Sequence, residues 1–184
     1  MAGDDSWIRA EMGGTSHASV IGKPEVIVAL LNRVKRPIFI IGHEIAATSP
    51  DCESLTGFIS TVSRVRHIPV LGTSPAVKGL ISHGISIEAI MGGMEIADRL
   101  RDPEWKGFDN LGQYDLVLFA AIPYSFCWTI LSGLRNSAPH LNTINLNRKY
   151  QPHATWSFGN IAVDPWKKQL QAAAVLLENG EKHV

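Results

Sequence analysis

Four consecutive large apolar residues, Ile38 to Ile41, follow Pro37 and stop at Gly42. A run of this length with these bounds suits a strand buried on both faces. Pro37 fits a strand's first position, where it removes no central ladder bond. Gly42 permits a sharp turn or the close approach of a ligand. Ahead of this strand, Val26, Ile27, Leu30, Leu31 and Val34 recur at helical spacing over Lys23–Lys35. After it, Ser49-Pro50-Asp51 reads as a turn, and Leu55, Phe58, Ile59 and Val62 form the apolar face of a helix. Ile68–Leu71 predicts a second strand, closed by Gly72-Thr73-Ser74, with Ser74 as an N-cap before Pro75. Ile90, Met91, Met94, Ala97 and Leu100 predict a helix over 87–101. Leu116–Ile122 reads as a third strand, and Phe126, Ile130, Leu131 and Leu134 lie on one side of the next helix. Asn142–Asn147 predicts a fourth strand with one polar face, and a short strand is expected near Phe158–Val163. The last helix has Asp164 as its cap, Pro165 as its first residue and Gly180 as its stop.

Strands alternating with helices in this way describe an α/β protein, a Rossmann-like three-layer parallel sheet with helices on both faces. Residues 1–22 are rich in Gly, Ser and Asp and read as an N-terminal arm, with Trp7 and Ile8 its only large side chains of note. Residues 23–184 then form a single domain. A charge balance of 17 basic against 17 acidic side chains gives no electrostatic reason to expect nucleic acid or a membrane surface as partner. Asp4 and Asp5 are unlike the basic start of a signal peptide. The two cysteines, Cys52 and Cys127, form no CxxC pair and point to a reducing, cytoplasmic setting.

The chemistry is sparse. Seven histidines are scattered without metal-ligand spacing, so no metal site is expected. His43-Glu44 begins like a zincin helix, but Ala47 stands where the second histidine would be. Two distant cysteines are too few for a four-thiolate iron–sulfur cluster. No GxSxG, GxGxxG or GxxxxGK[ST] occurs. What remains is the crest where the strands end. There Gly42, Ser74, Ser125 and Arg148 offer donors to a phosphate, Tyr124 offers a stacking face, and His43 stands beside them. This crest either holds a nucleotide or flavin or is vestigial. The polar loop over 102–109, which carries Trp105 and Phe108, either folds over its own sheet or presents a binding surface.

Several stretches occur in a telling order: Lys35-Arg36-Pro37 before the apolar strand, then Asp102-Pro103-Glu104-Trp105-Lys106-Gly107, then Tyr114-Asp115, then Ala154-Thr155-Trp156-Ser157-Phe158-Gly159-Asn160. Together they resemble the epsilon subunit of the archaeal acetyl-CoA decarbonylase/synthase complex, over roughly residues 23–178. The apolar strand is also similar to the start of the central domain of thiamine-diphosphate enzymes, which implies a domain of the DHS-like NAD/FAD-binding type. The family resemblance implies an accessory, non-catalytic subunit of the carbon monoxide dehydrogenase component. Its partner would be a large alpha subunit in an alpha-two, epsilon-two assembly, and that subunit would carry the nickel and iron–sulfur centres. The role implied is to stabilise the component, to help pass electrons to FAD, or both. No catalytic residue follows from it. Trp105, Lys106, Phe108, Trp156 and Phe158 are the candidate partner contacts, since aromatics and mixed-charge loops anchor interfaces. Alternatives are a free-standing flavin- or nucleotide-binding electron-transfer module, and a deacetylase-type enzyme, which lacks its GAGxS motif and zinc-binding cysteine pairs here. The isolated chain is also expected to self-associate if it leaves a partner surface bare.

Overall fold

The structure, a computed structural model, describes residues 17–47 and 49–181. Its strands are β1 (Ser19–Val20), β2 (Pro37–Ile41), β3 (Val70–Gly72), β4 (Ala89–Ile90), β5 (Leu116–Ala120), β6 (Asn142–Asn145) and β7 (Trp156–Ser157). The helices are α1 (Pro24–Arg33), α2 (Pro50–Val65), α3 (Val77–Ser82), α4 (Gly93–Arg101), α5 (Tyr124–Ser137) and α6 (Val163–Glu181). All strands pair in parallel, in the order β1-β7-β6-β5-β2-β3-β4. From β2 the chain winds outward through β3 to β4. It then crosses back to β5 and winds the other way to β7. The junction of β2 and β5 is therefore the topological switch point, where ligands bind in open α/β sheets.

The two central strands supply both faces of the core. Phe39 and Ile41 of β2 and Leu118 of β5 meet α1, α2 and α6. Ile38, Ile40, Val117 and Phe119 meet α4 and α5 on the other face. This is the three-layer Rossmann-like architecture that the sequence predicts. Phe39 lies opposite both Val70 and Leu118, so the register aligns apolar residues across three strands.

Several local expectations change. Ser49-Pro50-Asp51 opens α2 rather than forming a turn: the Ser49 hydroxyl accepts from the Cys52 amide, and Pro50 needs no intrahelical donor. Ser74 lies inside a 3-10 turn (Ser74–Ala76) whose preceding residue is Thr73, so it is not a cap. The helix expected over 87–101 begins only at Gly93, because Ala89–Ile90 pairs with the edge of β3. A Cβ on Gly93 would stand 2.6 Å from the Phe126 ring, so glycine lets that ring lie close against the start of α4. Phe126 is 38% exposed there. The last strand is Trp156–Ser157, and α6 starts at Val163 and runs past Gly180.

The polar face of β6 is buried rather than solvated. Thr143 and Thr155 each donate a backbone N–H to the other's hydroxyl, at 3.0 and 2.9 Å. Asn145, fully buried, donates to the Lys149 carbonyl and the Ser157 hydroxyl, at 2.8 and 3.0 Å, and its own oxygen accepts from the Asn147 amide. Ser157 in turn accepts from the Gln151 amide. Buried polar groups persist when they are satisfied in this way.

Of the arm expected over 1–22, residues 1–16, with Trp7 and Ile8, lie outside the described residues. Residues 19–20 are not an arm but β1, which closes the sheet beside β7. The Tyr150 hydroxyl accepts from the Ala18 amide and donates to its carbonyl. Arg135 reaches the His17 carbonyl as well as those of Pro152 and Ala154.

Candidate functional site

The crest at the β2–β5 switch point is divided in two by its own backbone. The Gly42 amide donates to the Ala120 carbonyl at 2.9 Å, and the Glu44 amide to the Ala121 carbonyl at 3.0 Å. A Cβ on Gly42 would lie 2.3 Å from the Ala121 oxygen and 2.7 Å from the Ile122 Cα. Gly42 is thus needed for the chain's approach to itself. Ala121 takes a left-handed conformation (φ 53°), and its amide is satisfied by the Asn147 side-chain oxygen at 2.9 Å.

This seam separates the candidate cofactor residues. Gly42, His43 and Ser74 line a mainly apolar groove on one side, with Pro123 and Phe126. Tyr124 and Arg148 line a cavity of about 350 Å³ on the other side. Ser125 lines neither; it is exposed in the first turn of α5, and its carbonyl accepts from the Thr129 hydroxyl. The six candidates therefore do not share one of these two pockets.

The cavity beside β6 holds residues that sequence reasoning missed. Arg148 donates through Nε to Asp51 at 2.6 Å, tying the loop after β6 to the start of α2. Asp51 and Glu53 occupy that helix's first turn, so it presents carboxylates and not an anion cradle. Gln151, 1% exposed, donates from Nε2 to the Tyr124 carbonyl at 2.9 Å, while its Oε1 has no partner. Leu55, Ile122 and Trp166 contribute apolar lining. Gln151 follows the Arg148-Lys149-Tyr150 loop that the sequence does flag, but its inward aim depends on the fold of β7. Cys127 is buried in α5, which pushes its thiol up to about 12 and leaves it protonated and inert.

The loop over 102–113 folds onto its own domain. Trp105 and Phe108 are half-buried, with ring centroids 5.2 Å apart and edge-on, and Trp105 lies 5.6 Å from Tyr114. Arg36 clamps the loop, donating from Nη1 to Asp109 at 3.1 Å and lying 5.1 Å over the Tyr114 ring. The Arg36 hydrogen bond holds the Asp109 carboxyl below its ordinary range, and burial raises the Tyr114 hydroxyl. Among the five candidate contacts, Lys106 is exposed, Trp156 half-buried and Phe158 wholly buried in the core. Phe158 is therefore out of reach of a partner in the folded chain. Among the described residues, the exposed large aromatics are instead Phe126 and Trp128 on α5, the latter edge-on to His153 at 4.5 Å. Burial, then Arg135, lowers the His153 imidazole below its usual range.

Residues 7–174 match the family described as CO dehydrogenase beta subunit/acetyl-CoA synthase epsilon subunit. The chain belongs to this family. The match takes in the Arg36–Asp109 clamp and the buried Thr143–Ser157 lattice, and it reaches back before β1. Curated epsilon-family relatives are similar along most of their length. The acetyl-CoA decarbonylase/synthase complex subunit epsilon of Methanothrix soehngenii is 32% identical over 143 residues, 77% of this chain and 74% of the relative. The subunit epsilon of Methanothermobacter thermautotrophicus is 29% identical over 167 residues, 90% of this chain and 91% of the relative. The subunit epsilon 1 of Archaeoglobus fulgidus is 32% identical over 144 residues. Among the described residues of this epsilon-family chain, no group of three or more His, Cys, Asp or Glu is placed to hold a metal, and no helix is long and apolar enough to cross a membrane.

Proposed function

We propose that this chain is the epsilon subunit of an acetyl-CoA decarbonylase/synthase complex and that it acts there as an accessory, non-catalytic subunit in the cytoplasm. Similarity to the Methanothermobacter subunit over 90% of this chain and 91% of that one carries the reading. Its partner is the large alpha subunit of the carbon monoxide dehydrogenase component, in an alpha-two, epsilon-two assembly in which alpha holds the nickel and iron–sulfur centres. Phe126 and Trp128, each more than a third exposed, and the exposed Lys106 support a docking role, since a large exposed aromatic is the side chain a partner most readily buries. The amides of Gly42 and Glu44, already bonded to β5 carbonyls, weigh against the second reading, a module that carries FAD and passes electrons.

Co-expression of the full chain, tagged, with the alpha subunit tests the assignment. Equimolar co-elution with a nickel- and iron-containing alpha is the expected result. A chain that elutes alone from a lysate containing folded alpha overturns it.

A further inference from the structure

The cavity between α2 and the loop after β6 is a built site with a specific chemical demand. Its position, at the carboxyl ends of the strands and next to the switch point, is where open α/β sheets receive small molecules. At about 350 Å³ it lies near the lower limit of small-molecule sites, room for one base–sugar–phosphate unit and not two. The decisive atom is Gln151 Oε1. The amide's orientation is fixed, because Nε2 donates to the Tyr124 carbonyl and a flipped amide would set oxygen against oxygen. Oε1 is therefore a buried acceptor without a donor, on a residue that lines the cavity. An unmatched buried acceptor is costly and rare in folded proteins. It asks for an N–H or O–H, so a simple anion does not complete it.

The rest of the wall specifies the remainder of the molecule. Leu55, Ile122 and Trp166 give an apolar floor that suits a planar base. Arg148 uses Nε for Asp51, which leaves its Nη1 and Nη2 donors, on a side chain that is 37% exposed, and the exposed Lys149 stands next to it. These cations suit a phosphate at the mouth. The exposed Glu44 also lines the cavity, and its carboxylate suits a ribose hydroxyl.

We propose that this cavity binds a nucleoside monophosphate, with an N–H of the base donating to Gln151 Oε1 and the phosphate on Arg148 and Lys149. The phosphate lies away from the β2 turn, whose Gly42 and Glu44 amides are engaged by β5. The inference stands apart from the subunit assignment, since it is read on the isolated full-length chain and not on assembly.

Titration of the isotopically labelled chain with adenosine monophosphate tests it. The indole N–H signal of Trp166 and the side-chain amide of Gln151 should shift together and saturate at millimolar ligand or below. Dimethylation of the adenine amino group, which removes the donor, should weaken binding about tenfold or more, as should loss of the phosphate in adenosine. Arg148→Gln, a substitution at a partly exposed position that leaves the core intact, should abolish the preference for the monophosphate over adenosine. Gln151→Met should abolish the preference for adenine over its dimethyl form. No shift with millimolar ligand overturns the proposal and leaves a water-filled cavity. Equal binding of inorganic phosphate, or of the dimethyl analogue to the unaltered chain, overturns it as well.

Discussion

The two halves of the sheet are held together by different forces. Between β2 and β5 every facing residue is apolar, and the five residues of β5 are buried without exception. Dispersion and burial hold that half, and it tolerates change that preserves volume. Between β6 and β7 the apolar pair Ile144 and Trp156 is flanked by polar ones, Asn145 with Ser157 and Thr143 with the half-buried Thr155, joined by side-chain hydrogen bonds. That half is directional: each donor has one address, and a partner removed leaves another orphaned. The apolar half fixes the fold and the polar half fixes the loops that surround the cavity. The difference shows why the central strands are read so easily from sequence and the crest so poorly.

The comparison breaks first at its seam. Gly42→Ala puts a Cβ against the Ala121 carbonyl, a backbone atom that cannot swing aside. Parting β2 from β5 there should cost more than ~4 kcal/mol, among the largest effects known for one methyl group, and chemical denaturation should show a chain that is largely unfolded. Asn145→Ala strikes the polar half. It leaves the Lys149 carbonyl and the Asn147 amide without these partners in a buried setting, a loss of about 3 kcal/mol. An apolar substitution of similar volume between β2 and β5, such as Ile40→Leu, should cost under ~1.5 kcal/mol, and the contrast between the two denaturation midpoints is the measurement. The smallest effect is expected from acid. His153 has its folded value lowered by burial and by Arg135, so the unfolded chain binds a proton before the folded one does. Stability should be unaffected above the ordinary histidine value of about 6.5, fall as pH drops through it, and level off once the folded imidazole is also charged. His153→Phe, which keeps a ring against Trp128, should flatten that slope in denaturation curves taken across the window.

The fold was legible because local signals agreed with it. Pro37 to Gly42 bounded a strand, and Leu55, Phe58, Ile59 and Val62 marked a helix face that is buried as read. Phe126 shows where spacing falls short: it shares one side of α5 with the buried Ile130 and Leu134, yet its ring lies against Gly93 of α4 and is exposed. The polar residues of β6 look solvent-facing until β7 arrives, eleven positions on from Asn145, with matching hydroxyls. Gly42 was singled out for a sharp turn or the approach of a ligand, and in the structure the backbone at Ala121 packs directly against it. Gln151 carried no signal, since an unmet acceptor is a property of surroundings and not of spacing.

β1 has a temporal consequence. Ala18 and the Tyr150 hydroxyl that holds it are 132 residues apart. At about 5–20 residues per second of synthesis, β1 waits on the order of ten seconds before its neighbour in the sheet exists. During that interval β1 has no strand to pair with. Once made, β7 in turn offers a bare edge to any passing strand until β1 covers it. β1 is thus made long before the strand it pairs with, and it seals that edge of the sheet against the wrong partners.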